Sequence, residues 1–311
     1  MDCAGSLHAK GLPVTTSVQS ITKKKLPSDP QIKINMIISI INHSNGKVSD
    51  AELQTVIRAI NRQIKEDFEP YWSLSATVRL EGRSSKNPDT QRAIDMRGDA
   101  VIYLWDKADV EDAIGYHDLN NRGIPFGFVF LDIARQLGEA WSVTLSHEVM
   151  ELIGDPEVNL LVAGPHPNPK VKRTVFHWYE MCDAVQSERY KIDGIEVSNF
   201  LLPLYFTSTD EFAGRNDFMG TVNKDGSTLK SFGVNPGGYS GFFDPKLDDN
   251  DNFTLDDDKV AQKRLAIKRK IEGTRRSIRY QRHSSDKSEP GMRFTQQDQK
   301  EPGFTKGKRK K

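Results

Sequence analysis

Cysteine is nearly absent: the 311 residues hold two, Cys3 and Cys182. That excludes a disulfide-stapled secreted scaffold, and a chain of this length can bury a core without such staples. Long hydrophobic runs are missing too. The longest near the start, 36–41, falls far short of the roughly 20 residues a membrane helix needs. Residues 1–25 lack the apolar stretch and small-residue cleavage site of a secretory signal. The expectation is a soluble, cytoplasmic protein with no membrane association. Apolar residues make up 36% of the chain, a low share for a compact fold, so part of it is expected to stay unpacked. Net charge is close to nil, +1, which excludes a single field over the whole surface.

What is present is charge kept in separate places. Residues 259–311 hold 18 Lys and Arg against 5 Asp and Glu, a net of +13, whereas 1–258 holds 26 against 38, a net of −12. So basic and apolar-poor a tail cannot bury enough surface to offset its ordering entropy. Its start, 258–282, reads as a polar basic helix carrying Leu265, Ile267 and Ile271. The tail is either an arm for nucleic acid or another acidic partner, or a solubilising extension. The acidic run at 246–258 lacks the glycine and spaced glutamate of an EF-hand loop and reads as a linker. Residues 1–30 read as a flexible leader, which leaves 31–245 as the folded domain.

Within that domain the pattern is mixed α+β. The apolar, β-branched segment 32–42 predicts a strand. Ser49 with Glu52 three residues on is a capping-box signature. Leu53, Val56, Ile57, Ile60, Ile64 and Phe68 then recur at helical spacing, predicting a helix over 50–69 that Pro70 ends. Strands are expected at 75–81, 99–105 and 126–132, with a Gly- and Asn-rich stretch, 115–123, between the last two. A second helix is expected over about 142–153. Downstream, 160–173 reads as a loop over the site. Residues 190–192 and 195–197, parted by Asp193-Gly194, read as a hairpin. Glycines 233, 237, 238 and 241 mark a turn-rich closing segment without phosphate-loop spacing.

The second helix carries the chemistry: Ser146, His147, Glu148, Val149, Met150, Glu151, Leu152, Ile153, Gly154, Asp155, Pro156, Glu157. On a helix His147 and Glu151 stack on one face, about 6 Å apart along the axis, a spacing that suits two ligands of one divalent ion. Glu148 points to the adjacent side, within reach of a water at that ion, as in the His-Glu-x-x-His zinc helix with its glutamate base. Gly154 offers a positive φ for a sharp helix end, and Pro156 prevents resumption. Asp155 is either a third ligand or a turn former, and Glu157 is the alternative third ligand by spacing.

The run resembles a divergent zincin, and more narrowly the metzincin pattern His-Glu-x-x-His-x-x-Gly-x-x-His. His147, Glu148 and Gly154 match it, and Glu151 and Glu157 stand where the later histidines would be. It is more closely similar to His-Glu-x-x-Glu-x-x-x-Asp-Pro proteins related to the plant phosphate-induced, Exordium-like group. Those carry a downstream Glu-x-x-Asp beside a cysteine, matched here by Glu180, Met181, Cys182 and Asp183. The resemblance spans about 32–245 and implies a zincin-like mixed sheet with an active-site helix.

Glu180 and Asp183 would either join the ligands or hold His147 in place. The neighbouring His177, Trp178 and Tyr179 predict burial there. Met181 reads as a core residue or a methionine turn, Cys182 as a buried small hydrophobe and His117 as a loop residue. Two functions follow. One is a metal-dependent hydrolase of peptides or proteins, with zinc foremost, Glu148 as general base, and His147, Glu151, Asp155, Glu180 and Asp183 as candidate ligands. The other is a non-catalytic module that works through its basic tail.

Overall fold

The computed structural model describes residues 35–81, 98–107, 115–119, 124–207, 214–255, 258–263 and 265–266. All belong to the unit that begins at Lys33. The leader 1–30 with its Cys3, and the 259–311 tail apart from 259–263 and 265–266, lie outside the described residues.

The fold is α+β. Its first sheet joins β1 (Asn35–His43), β2 (Ser75–Leu80), β3 (Ala100–Trp105), β4 (Gly115–Leu119) and β5 (Pro125–Phe130) in the order β2-β1-β3-β5-β4. All pairings are parallel except β4 with β5. Parallel neighbours need a crossover, and α1 (Asp50–Gln63) supplies it between β1 and β2. Its cap is the one the sequence announces: Ser49 accepts a hydrogen bond from the Glu52 backbone N–H at 3.2 Å. Its apolar stripe, Leu53, Val56, Ile57 and Ile60, is buried against Ile38, Ile40 and Ile102 of the sheet. The opposite sheet face carries Ile41, Val101, Tyr103, Phe126, Phe128 and Phe130. Strands buried on both faces read as nearly continuous apolar runs, as the central β1, β3 and β5 do.

Two short helices, α2 (Glu69–Trp72) and α3 (Leu131–Gln136), precede the central α4 (Trp141–Gly154). Helix α4 is buried nearly all round because the first sheet lies along one side, at β4 and β5, and β9 along another. A second, antiparallel sheet has the order β11-β10-β7-β6, formed by β6 (Leu161–Pro165), β7 (Thr174–Trp178), β10 (Ser240–Asp244) and β11 (Asp249–Phe253). Between them in sequence, β8 (Arg189–Ile192) and β9 (Ile195–Ser198) form the expected hairpin. Asp193 and Gly194 both have positive φ, 50° and 83°, as a tight hairpin turn requires.

Five expectations are corrected. Pro70 does not end the first helix: the chain widens into a π turn at Ile64–Phe68, and Pro70 enters the first turn of α2, where its missing N–H costs little. The helix ends at Ser73, in the left-handed region. The stretch 115–123 contains strand β4. The loop assigned to 160–173 begins with strand β6. The acidic linker 246–258 contributes β11, an edge strand whose carboxylates face water while its backbone pairs with β10. The fold therefore runs past 245, and Ala261 and Leu265 of the following helical turn are buried. Among the described residues no helix is long and apolar enough to cross a membrane.

Candidate metal centre

Helix α4 is fastened one turn ahead of its chemistry. Ser142 Oγ donates to the Glu196 carbonyl at 2.7 Å, and Ser146 Oγ accepts from the Ser198 N–H at 2.8 Å. These bonds tie the helix to β9 and fix the rotation that His147 and Glu151 share. The segment after β7 is held against the same helix, where the Cys182 N–H donates to Glu151 Oε1 at 3.3 Å, and against the chain after β9, where the Leu201 N–H donates to the Met181 carbonyl at 2.7 Å. Two stretches about 30 residues apart thus bring their side chains to one place.

There His147 Nε2 lies 3.1 Å from Glu151 Oε1 and 3.4 Å from Asp183 Oδ1. Donor atoms of Glu151, Glu180 and Asp183 all lie within 4.8 Å of one another, and so do those of His147, Glu151 and Cys182. Glu151, Glu180 and Asp183 are buried; the His147 side chain keeps 13% of its surface, the opening toward solvent. Glu148 is buried beside them, close enough for its charge to act on both His147 and Cys182.

The electrostatics follow from crowding acids in a dry place. Burial opposes a charged His147, but the Glu151, Asp183 and Glu148 carboxylates outweigh it and push its pKa well above the ordinary range. Burial lifts the Glu151 carboxyl to about 7; the Asp183 and Glu180 charges add to that, and His147 opposes it. Burial, then Glu151, likewise raise the Cys182 thiol. Such a set is costly to hold ionised by itself, and a cation relieves it. With an imidazole nitrogen, carboxylate oxygens and a sulfur at mutual distances of a few ångströms, the cluster can hold a metal ion.

The candidates from the sequence divide as follows. His147, Glu151, Glu180 and Asp183 converge, with Glu148 alongside. Asp155 stands outside both donor groups and shapes the turn: Oδ1 accepts the Asn159 N–H at 3.1 Å and Oδ2 the Leu160 N–H at 2.9 Å. Glu157 is exposed and accepts from Asn159 Nδ2. Gly154 does not use a positive φ. Its lack of a side chain serves packing instead, since a Cβ there would collide with the fully buried Met181.

Two participants escaped the sequence reading. Cys182, read as a small hydrophobe, offers its sulfur to the His147–Glu151 pair. Tyr239, just ahead of β10, hydrogen-bonds the Asp183 side chain. The one available signal was the pair of glycines before it, which permits close backbone approach. His117 lies on β4. Compared with family models and with curated proteins, the chain matches none.

Proposed function

We propose that this protein is a metal-dependent hydrolase of zincin-like architecture, acting on peptide or protein substrates. The observation that carries the reading is a pair of donor groups sharing Glu151, one with His147 and Cys182 and one with Glu180 and Asp183, linked by the His147–Asp183 contact, with Glu148 buried one residue from His147 on the same helix. The strand order ending at β4, with the metal helix following β5, supports the zincin likeness. The outer edge of β4 gives an extended peptide a strand to lie along.

Zinc fits the donors best. A nitrogen, carboxylate oxygens and the Cys182 sulfur favour it over magnesium or calcium. Bound there, zinc would supply Lewis acidity toward a water and a scissile carbonyl. His147, Glu151, Asp183 and Glu180 would hold it; His147 would give up its Nε2 proton to do so, so loading releases protons and weakens as the pH falls. Glu148 would take a proton from the attacking water and deliver it to the leaving amine.

Elemental analysis of the purified full chain, paired with hydrolysis of dye-labelled casein, tests this. Zinc is expected at one per chain in both the native protein and Glu148→Gln, with turnover of the variant reduced about 10²–10⁴-fold. Turnover retained in Glu148→Gln removes it as the base; a chain that takes up no ion removes the whole reading.

A second reading rests on the net +13 of 259–311, which would dock the protein on nucleic acid. Because Leu265 is packed, the informative truncation falls after 266. It should abolish binding to a double-stranded oligonucleotide that the full chain binds in a salt-dependent way. Binding that survives the cut, or that salt does not weaken, rejects this reading.

A further inference from the structure

Tyr239 sits one residue before β10, 4% exposed, in a segment whose glycines the hydrolase reading leaves unexplained. That segment is laced to the turn holding Asp183. The Asn235 N–H donates to the Ala184 carbonyl at 3.0 Å, the Gly238 N–H to the Asn235 carbonyl at 2.9 Å, and the Tyr239 N–H to the Asp183 carbonyl at 3.1 Å. Glycine is required for this approach. A Cβ on Gly238 would run into the Ala184 carbonyl, and one on Gly237, at φ 84°, into the Ser187 side chain.

The phenol delivered by this contact meets the metal cluster. Its hydroxyl donates to the Asp183 carboxylate, which also faces His147 Nε2 at 3.4 Å, and it lies within the field of Glu151 and Glu180. A buried tyrosine needs some acceptor, and a backbone carbonyl suffices. Tyr205, 2% exposed, uses the Gly233 carbonyl at 2.8 Å in that way. Tyr239 spends its bond on a side chain that points at the imidazole.

We infer that Tyr239 is a positioning residue of the metal centre, its hydroxyl fixing the orientation in which Asp183 presents an oxygen to the ion; this rests on the metal reading above. A carboxylate has two oxygens and a rotatable stem. A donor on one side selects which oxygen faces the ion and tempers its charge. Partners of this kind are worth about 10–100-fold in metal affinity.

The test uses the full chain, stripped of metal and titrated with Zn²⁺ against a chromophoric chelator, and with Co²⁺ by visible absorption. Tyr239→Phe removes one oxygen and keeps the ring. It should weaken Zn²⁺ binding by about 10–100-fold and shift the Co²⁺ spectrum. Tyr205→Phe should do neither: it too removes a buried hydroxyl, one that feels the Asp183 charge but bonds the Gly233 carbonyl instead of that carboxylate. In an Asp183→Ala background Tyr239→Phe should weaken binding no further, because the effect passes through that carboxylate. Unchanged affinity and spectrum in Tyr239→Phe overturn the inference, and so does a loss that persists in full without Asp183. Absence of binding by the unaltered chain overturns it together with the metal reading, and this result is distinguishable from the other two.

Discussion

Two acid clusters lie at either end of the stretch 180–199, and they are built differently. In the first, Glu151 and Asp183 face a single imidazole at 3.1 and 3.4 Å, with Glu180 alongside. In the second, Glu188 and Asp217 are met by neutral donors. Asn199 Nδ2 donates to Glu188 Oε2 at 2.6 Å and to Asp217 Oδ2 at 2.8 Å. Asn235 Nδ2 reaches Glu188 Oε1 at 2.6 Å, Thr221 Oγ1 reaches Oε2 at 2.8 Å, and the Gly220 N–H reaches Asp217 Oδ2 at 2.8 Å. Burial is the leading cause that lifts the pKa of both Glu188 and Glu151; at Glu188, where Asp217 adds to it, three neutral hydrogen bonds pull back, whereas at Glu151, where Asp183 and Glu180 add to it, the His147 ring is what pulls back. Amide and hydroxyl donors lock carboxylates into a scaffold. Acids gathered around one ring nitrogen make an arrangement that a cation completes.

The largest expected effects come from exchanging injuries between the two clusters. Glu151→Ala should remove bound metal, from one ion per chain to none measurable, and leave the Glu188–Asp217 network intact. Asn199→Ala should leave the metal content unchanged and lower the unfolding free energy by about 4 kcal/mol, since it strips a donor from the buried Asp217 and the half-buried Glu188 at once. Elemental analysis and denaturant unfolding of both variants read the two outcomes. Metal lost from Asn199→Ala, or fully retained in Glu151→Ala, would erase the distinction.

How much of this the sequence displays depends on how locally each feature is encoded. The start and apolar stripe of α1, its Ser49 cap and the stacking of His147 on Glu151 each follow from spacings within a single helix, and these are read correctly, whereas the end of the first helix is not. The arrival of Glu180 and Asp183 is legible only as a recurring short motif, because bonds from Cys182 to Glu151 and from Leu201 to Met181 are what bring it there. Tyr239 is illegible: it reaches Asp183 across more than fifty residues through a glycine pair whose purpose appears only beside Ala184. Strands β4, β6 and β11 are hidden for another reason. Each has five residues and is weakly apolar or carries Gly, Pro or Asp, and each draws its order from a neighbour's backbone rather than its own pattern. Gly154 shows the converse error, where a residue that suggests a turn serves to admit Met181.

Two histidines, the partly buried His147 and the buried His177, extend the contrast and set the smallest of these effects. His147 stands among acids that favour its cation. His177, on β7, is 1% exposed and has neutral company: its Nε2 lies 2.8 Å from the Pro165 carbonyl, its Nδ1 3.1 Å from Ser240 Oγ, and Phe232 packs at 4.5 Å between ring centres. A carbonyl only accepts, so Nε2 carries a proton; burial favours the neutral ring, in which Nδ1 accepts from the Ser240 hydroxyl. Burial holds its pKa down to about 4, against 6.5 for a free histidine. Between those values the unfolded chain binds a proton that the fold refuses, so the stability His177 contributes is intact above about pH 6.5 and drains away as the pH falls toward 4. The full loss is about 3 kcal/mol. In His177→Phe the Pro165 carbonyl and the Ser240 hydroxyl lose a partner, which lowers stability equally at every pH and leaves no ring to titrate. Denaturant unfolding of both chains from pH 7.5 to 4 separates the two contributions: the variant starts lower, and the gap narrows with acidification. His147 and Glu151 titrate alike in both chains, so they cancel from the difference. A gap that stays constant would mean that His177 accepts its proton inside the fold, and the contrast between the two rings would fail.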